Sequence, residues 1–149
     1  MPKLLVPVDG SEHSLAALDV AAELARALGV AIVACHVVDN AMAARLSFGD
    51  PASYAGCHET LRLEGQSYLE EAQERLTQAH LECRTVLRSG EPCREIEETA
   101  AREGASMIVM GTHGRTGLAH VLMGSIAECV LRTAKVPVVV VPRSRVRKT

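Results

Sequence analysis

Apolar runs of strand length alternate along the chain with segments of helical periodicity. Strands buried on both faces are continuous apolar runs, and helices placed between them are typical of parallel βαβ units. The pattern therefore predicts a parallel sheet with helices on both faces. The five predicted strands are Lys3 to Val8, Ala31 to Val38, Cys83 to Leu87, Met107 to Met110 and Val136 to Val141.

The first two predicted helices follow strands 1 and 2. Ser11 is placed to cap the first, and Gly29 stands where a left-handed terminator belongs. The second helix has one apolar face, and the acidic residues around it face water. The residues of that face are Leu61, Tyr68, Leu69, Ala72, Leu76 and Ala79.

Two further helices are predicted in the second half of the chain. The third begins at Pro92, turns Ile96 and Ala100 inward and ends before Gly104. The fourth follows Ser125, and its period places three residues on the inward face. These are Ile126, Val130 and Thr133.

The segment 40–60 is the weakly patterned part of the chain. It lies between strand 2 and the second helix and contains Gly49, Asp50, Pro51 and Gly56. Such composition is typical of a loop, and a loop of this length commonly has a functional role. We therefore predict a mobile loop or lid inserted in one domain that spans residues 1–149.

Right-handed crossovers then determine the topology. They predict a single doubly wound five-stranded sheet of order 3-2-1-4-5, in which ligands bind beyond the carboxyl ends of strands 1 and 4. The last strand, 136–141, is an edge in this order. Because an apolar edge pairs readily with another chain, we predict a homodimer through antiparallel pairing of Val136 to Val141.

Composition narrows the class of protein. With 149 residues, 48% hydrophobic and 23% charged, the chain resembles a soluble globular domain. Its amino terminus enters a strand directly, without the pattern of a secretory signal, and no apolar run approaches the ~20 residues that span a bilayer. A cytoplasmic protein without membrane contact is expected.

The net charge of −2 argues against a nucleic-acid surface, and the basic tail 143–149 is expected to be solvated.

Cysteines and carboxylates carry little predicted chemistry. The five cysteines are scattered without a CxxC pair, which predicts reduced thiols and no structural zinc. Cys35 and His36 are adjacent in a strand and point to opposite faces, so they cannot form a dyad. The acidic residues of the third helix are expected to be solvated, and no metal site made of protein ligands alone is predicted. They are Glu91, Glu95, Glu97, Glu98 and Glu103.

The glycines that follow strand 4 carry the strongest chemical signal. Gly111, Gly114 and Gly117 follow the strand, and Gly124 and Ser125 open the last helix after a nine-residue excursion. Backbone N–H groups of such a loop, and those of a helix N-terminus, favour phosphate oxygens. Two alternatives need no ligand: the glycines are ordinary turn residues, or Ser125 and Glu128 form a capping box. Neither a Walker A motif nor a GxGxxG after strand 1 is present.

The spacing Gly111-x2-Gly114-x9-Gly124-Ser125 resembles the G-2x-G-9x-G-(S/T) pattern of the ATP-binding branch of the universal stress protein family. The resemblance extends to 6–11, 35–39 and 136–141 and so covers the whole chain outside 40–60. It implies the adenine nucleotide alpha hydrolase-like fold and binding of ATP, with Mg²⁺ arriving on the nucleotide. It also implies that Gly111, Gly114, Gly124 and Ser125 hold the phosphates and ribose, and that Pro7, Asp9, Val37 and Met110 line the adenine and ribose pocket.

Three polar residues near this loop have open roles. Asp9 has two possible functional roles: it accepts a hydrogen bond from the nucleotide, or it helps place a metal ion. The alternative is that it only forms the turn before Gly10. Arg115 either pairs with the outer phosphates or is solvated. His113 is the single histidine near the loop in sequence and is expected to be polar lining, since no partner for a general base is evident. No catalytic residue is assigned.

Four functions are therefore ranked. The first is an ATP-binding universal stress protein with a nucleotide-dependent regulatory or stress-response role. The second is a slow ATP hydrolase or phosphotransfer enzyme of at most weak activity, for which only Asp9 and His113 are available. The third is a nucleotide-independent dimeric module that engages an unknown protein partner through its dimer surface or 40–60. Flavin binding ranks last, because Phe48, Tyr54 and Tyr68 are the only aromatic residues.

Overall fold

The structure is a computed structural model that describes residues 2–114, 123–142 and 145. Ten elements follow one another along the described chain. In order they are β1 (Lys3–Pro7), α1 (Glu12–Leu28), β2 (Ala31–Asp39), α2 (Asn40–Leu46), α3 (Pro51–Gln78), β3 (Cys83–Gly90), α4 (Pro92–Glu103), β4 (Ala105–Gly111), α5 (Ser125–Thr133) and β5 (Val138–Val141).

The five strands form one parallel sheet in the order β3-β2-β1-β4-β5, which confirms the predicted topology. The order reverses between β1 and β4, because the chain first builds outward through β2 and β3 and then returns. Parallel strands end at the same side of the sheet, so the carboxyl ends of β1, β2 and β4 lie together. This arrangement creates the crevice in which ligands of doubly wound proteins bind.

Alternation along the strands divides the core between the two faces of the sheet. Leu4 and Val6 of β1 pack with α1 and α3, whereas Leu5 between them packs with α4 and α5. Along β4, Val109 belongs to the first face and Ile108 to the second. Successive strand side chains point to opposite faces, and both faces here are covered. The continuous apolar runs of the sequence follow from this double burial.

Helix ends agree with the capping signals in most places. Ser11 accepts a hydrogen bond from the Ser14 backbone at the start of α1, and Gly29 ends that helix in the left-handed region at φ 67°. Gly104 ends α4 in the same way at φ 65°. Within the described residues, none of the helices combines the length and the apolar character needed to cross a membrane.

The loop prediction for 40–60 is wrong. Asp39 accepts hydrogen bonds from the first backbone N–H groups of α2, and Asp50 does the same for α3, whose first residue is Pro51. These are helix-start signals that the sequence pattern presented as loop composition. A turn at Phe48 and Gly49, both with positive φ, separates the two helices.

Several strand and helix details also differ from the prediction. β5 begins at Val138 instead of Val136, because Pro137 has no N–H to donate. β3 and β4 are longer than predicted. In α5, Val130 is buried as predicted, but Ile126 is 40% exposed and Thr133 is also exposed. Ala127, one residue further along, takes the inward position predicted for Ile126.

The prediction that all cysteines are reduced is wrong for one pair. Cys93 in α4 and Cys129 in α5 form a disulfide, with their Cα atoms 6.1 Å apart. The two residues are 36 positions apart in sequence, and only the packing of α4 beside α5 on one face brings them together. The remaining cysteines are free: Cys35 is buried, and Cys57 and Cys83 are half-buried.

Candidate functional site

A cavity of about 570 Å³ lies at the carboxyl ends of β1, β2 and β4. The ends of β1 and β2 contribute one wall, and the end of β4 with the start of α5 contributes the other. Eight predicted site residues line it: Pro7, Asp9, Val37, Met110, Gly111, Gly114, Gly124 and Ser125. The ninth, Arg115, lies outside the described residues. Sequence and fold thus bring the predicted residues to one cavity, while their binding roles stay predictions.

Asp9 is held in place by the turn between β1 and α1. Its Oδ1 accepts hydrogen bonds from the Ser11 backbone N–H at 3.0 Å and from the Ser11 hydroxyl at 2.5 Å. The Asp9 backbone N–H donates to the Ser14 hydroxyl at 3.3 Å. Both roles considered for Asp9 are therefore compatible, because one carboxylate oxygen forms the turn and the residue still lines the cavity.

Close approach of other segments, and not backbone conformation, distinguishes the glycines at the end of β4 and beyond it. None of Gly111, Gly114 and Gly124 has the positive φ that makes glycine necessary in many turns. A Cβ on Gly111 would lie 2.8 Å from the His13 carbonyl oxygen. The same atom on Gly114 would lie 2.5 Å from Oδ2 of Asp9. Because glycine has no side chain, the backbone at Gly111 and Gly114 lies directly against α1 and against the Asp9 carboxylate in the turn after β1.

The two predicted glycine segments meet each other. The backbone N–H of Gly124 donates to the Thr112 carbonyl at 2.6 Å, which joins the start of α5 to the end of β4. A Cβ on Gly124 would lie 3.2 Å from that carbonyl oxygen and 4.0 Å from the Gly114 nitrogen. The loop backbone and the helix N-terminus therefore face one end of the cavity together.

The capping-box alternative for Ser125 is wrong. Gly124 is the N-cap of α5, and Ser125 is the first residue of the helix. Glu128 makes an ion pair with Arg132 at 2.8 Å. Gly124 has no side chain to accept hydrogen bonds, so the first N–H groups of α5 lack the cap that the other described helices have. Those caps are Ser11, Asp39, Asp50 and Glu91.

More histidines lie near the site than the sequence predicted. His113 is 6% exposed, lines the cavity and has Nδ1 2.9 Å from the Thr112 hydroxyl. Its ring lies 5.4 Å from that of His13 at the start of α1. The sequence view that His113 is the single histidine near the loop is therefore wrong in space, since α1 packs beside β4.

His36 and Tyr68 form a further part of the cavity wall that was not predicted from the sequence, and Gly65 packs against His36 behind it. His36 Nδ1 lies 2.7 Å from the Val8 carbonyl oxygen, and its ring makes an edge contact with Tyr68. A Cβ on Gly65 would lie 2.9 Å from His36 Nε2. The detectable signal was the stripe Leu61, Glu64 and Tyr68 at helical spacing, because all three line the cavity.

Residues of α2 and of the N-terminal half of α4 complete the lining. Met42 and Arg45 of α2 contribute on one side, and Pro92 and Ile96 of α4 contribute on another. The Glu91 side chain caps α4 by accepting from the backbone N–H groups of the second and third helical residues at 3.1 and 2.9 Å. A carboxylate that caps a helix is fixed in position, so it forms a stable part of the wall.

The acidic side chains of α4 are more constrained than predicted. Glu95 pairs with Arg88 at 3.5 Å, and Glu103 pairs with Arg84 at 2.9 Å and Lys3 at 3.8 Å. These two carboxylates are largely buried, with 17% and 13% of their side chains exposed. Among the described residues, no group of three or more histidine, cysteine or acidic side chains is suited to hold a metal ion.

Cys35 lines the cavity without being a nucleophile. Burial raises the pKa of its thiol from 9.0 to about 12, so the reactive thiolate is absent near neutral pH. Cys35 belongs to the core beneath α4 and α5, whereas His36 contacts α3 on the other face. The two side chains therefore cannot meet, as their alternation in β2 predicted.

A doubly wound parallel sheet with a cavity at its switch point defines a class of α/β proteins whose ligands bind beyond the carboxyl ends of the strands. Within that class the assignment is specific, because the sequence model of the universal stress protein family matches residues 1–142. The chain belongs to the universal stress protein family. A universal stress protein of Methanocaldococcus jannaschii, MJ0531, is 34% identical over 143 residues, which are 96% of this chain and 83% of that protein.

Solved structures agree with this assignment. The structure of MJ0577, another universal stress protein of M. jannaschii, superposes with a TM-score of 0.84 at 26% identity and covers 99% of this chain and 98% of its own. A universal stress protein from Archaeoglobus fulgidus, solved in complex with dAMP, gives a TM-score of 0.66 at 24% identity, with 94% and 96% covered. The second similarity supports the fold alone.

Proposed function

We propose that this protein binds ATP, together with Mg²⁺, in the cavity at the carboxyl ends of β1, β2 and β4. Its regulatory or stress-response role would then depend on the bound nucleotide, as the family suggests. One observation carries the proposal: the loop of Gly111 and Gly114 and the uncapped N-terminus of α5 face the same end of the cavity. Helix N-termini of this kind favour phosphate oxygens.

The rest of the cavity suits the other parts of a nucleotide. Its volume of about 570 Å³ falls within the ~300–1,000 Å³ typical of small-molecule sites. Pro7, Val37 and Met110 supply an apolar wall for the adenine ring. Asp9 and the start of α5 supply polar groups nearer the glycine loop. The proposed order of the ligand is therefore adenine towards β2 and phosphates towards α5.

The charges of the cavity support Mg²⁺ as part of the ligand. The described acidic residues that line it are Asp9, Asp39, Glu64 and Glu91, and the described basic residue is Arg45. Asp39 and Glu91 cap helices, but Asp9 lies against Gly114, beside the proposed phosphate position. A carboxylate next to a triphosphate is unfavourable unless a cation reduces the repulsion. When bound, Mg²⁺ would supply that charge.

The ligand class agrees with solved structures of this fold. Universal stress proteins have been solved in complex with dAMP and with cAMP. Both ligands are adenine nucleotides, and a phosphate-binding helix N-terminus suits either. ATP is proposed for this chain because two donor groups, the glycine loop and the start of α5, suit a chain of phosphates better than one phosphate.

Mass spectrometry combined with thermal unfolding tests the proposal. The protein is purified without added nucleotide and denatured, and released small molecules are identified. Separately, Mg²⁺–ATP is added to nucleotide-free protein. ATP at about 100 times its Kd should stabilise the fold by about 2.7 kcal/mol. If no nucleotide is released and added ATP leaves the Tm of the wild type unchanged, the proposal is wrong.

We also propose that two copies pair through β5. This strand lies at the edge of the sheet, and its four residues are all valine. An apolar edge strand of this kind offers unpaired backbone groups to a second copy, and two-fold pairing would close the sheet edge. Light scattering at ~10 μM should give the mass of a dimer. A monomer at this concentration contradicts the proposed pairing.

A further inference from the structure

The disulfide between Cys93 and Cys129 joins the two helices on one side of the cavity. Cys93 is the second residue of α4 and Cys129 is the fifth residue of α5. Both helices pack on the same face of the sheet, against Leu5 and Ile108. The bond therefore crosses between two elements that also contact each other through side-chain packing and through a hydrogen bond from the Thr133 hydroxyl to the Glu97 carboxylate.

Each of the two cysteines has cavity-lining residues within one turn of its own helix. Pro92 precedes Cys93 directly, and Ile96 follows it by one turn. Ser125 and Ile126 line the cavity and lie one turn before Cys129 on α5. A covalent bond at this position limits how far the N-terminus of α5 moves away from α4. That N-terminus is the proposed phosphate site.

We propose that Cys93 and Cys129 are a reversible thiol oxidation site and that the oxidised form binds nucleotide more tightly than the reduced form. The proposal rests on ATP binding in the cavity. Its physical reason is preorganisation: with the disulfide closed, α5 loses less freedom when the ligand binds. Linkage then requires that bound nucleotide also protects the disulfide from reduction by the same factor.

The redox step is thiol–disulfide exchange with a low-molecular-weight disulfide such as oxidised glutathione. Cys93 is 3% exposed and Cys129 is half-buried, so Cys129 is the more accessible sulfur. The Cys129 thiolate attacks the external disulfide and releases one glutathione thiolate. The Cys93 thiolate then attacks the Cys129 sulfur of the mixed disulfide and releases the second. Two electrons pass to glutathione, and the two protons of the protein thiols end on two glutathione molecules.

The effects of the other three cysteines can be distinguished from those of this pair. Cys35 is fully buried and its pKa is raised to about 12, so it does not exchange near neutral pH. Cys57 in α3 and Cys83 in β3 are half-buried and free. The variant Cys57→Ser/Cys83→Ser removes them and leaves the pair intact. This variant is the background for the experiment.

The first measurement is a thiol count. The background variant is equilibrated with oxidised or reduced glutathione, denatured, alkylated with iodoacetamide and weighed by mass spectrometry. We expect one adduct, on Cys35, after oxidation and adducts on all of Cys35, Cys93 and Cys129 after reduction. Adducts on all three cysteines after treatment with oxidised glutathione would overturn the proposal.

The second measurement is the Kd of Mg²⁺–ATP for both forms by titration calorimetry. The oxidised form should bind at least about fivefold more tightly, the lower end of typical coupling between sites. With saturating ATP, the value of [GSH]²/[GSSG] at which half of the protein is reduced should rise by the same factor, because reduction of one disulfide consumes two glutathione molecules. When Cys93→Ser/Cys129→Ser is added to the background variant, the Kd of Mg²⁺–ATP should equal that of the reduced form after treatment with either oxidised or reduced glutathione.

The outcomes distinguish this inference from the proposed function. Equal, measurable affinities of the oxidised and reduced forms overturn the coupling and leave ATP binding established. No ATP binding by either form overturns the proposed function and the coupling with it. A response to oxidised glutathione that persists in Cys93→Ser/Cys129→Ser would assign the effect to Cys35 and also overturn the proposal.

Discussion

Asp9 and Gly114 pack so closely that a methyl group on residue 114 would lie 2.5 Å from Oδ2 of Asp9. The other carboxylate oxygen of Asp9 is held by the backbone and hydroxyl of Ser11. The end of β1 and the glycine loop after β4 therefore fit together through one carboxylate and one Cα atom. This contact lies at the switch point of the sheet, where the proposed nucleotide binds.

Replacing Gly114 by alanine should weaken ATP binding through Asp9. The added methyl forces either the carboxylate or the loop to move, and both belong to the proposed site. We expect the Kd of Mg²⁺–ATP to rise about tenfold, equivalent to about 1.4 kcal/mol. Calorimetry on Gly114→Ala and the wild type measures it. Gly56→Ala is the control, because a Cβ there meets nothing within 4 Å. An unchanged Kd in both variants would exclude this contact from the binding site.

Two glycines of α3 should respond to alanine with opposite signs. Gly56 faces open space, so Gly56→Ala should raise the free energy of unfolding by about 0.5–1 kcal/mol through helix propensity. Gly65 packs against His36, whose Nδ1 lies 2.7 Å from the Val8 carbonyl oxygen. Gly65→Ala should therefore destabilise by about 1–3 kcal/mol. Urea unfolding measures both, and stabilisation by Gly65→Ala would show that His36 moves away at little cost.

Ser125 separates helix capping from ligand binding. A serine N-cap contributes about 1 kcal/mol to stability, but here Gly124 holds the N-cap position. Ser125→Ala should therefore change the free energy of unfolding by less than about 0.5 kcal/mol. Loss of one hydrogen bond to the ligand should raise the Kd of Mg²⁺–ATP by about 2- to 10-fold. The reverse pattern, lower stability with unchanged Kd, would restore the capping role.

The parts of the molecule that local pattern controls could be predicted from the sequence. Apolar runs determined the strands, and right-handed crossovers then determined the order β3-β2-β1-β4-β5. The glycines after β4 were recognisable because their spacing is itself a pattern. Their physical reason was not, since it is close contact with Asp9 and the His13 backbone and not positive φ.

The parts that depend on contacts between distant segments could not be predicted. The Cys93–Cys129 bond needs α4 and α5 side by side, and spacing in sequence carries no trace of this. His36 and Tyr68 meet only because α3 packs on β2. The helices in 40–60 are a different case, because Asp39 and Asp50 are N-caps visible in the sequence. Gly49, Pro51 and Gly56 concealed them, because residues of these types are also typical of loops.

The buried Cys35 thiol should make the free energy of unfolding depend on pH in the alkaline range. Its pKa is about 12 in the folded protein against 9.0 ordinarily, so between these values the unfolded chain loses a proton that the folded protein keeps. The folded state then binds more protons, and the free energy of unfolding falls as pH rises, by at most about 1.4 kcal/mol per pH unit. Urea unfolding between pH 8 and 10.5 should show a shallower decline for Cys35→Ala than for the wild type. Parallel declines would mean that the thiol ionises in the folded protein as easily as in the unfolded chain.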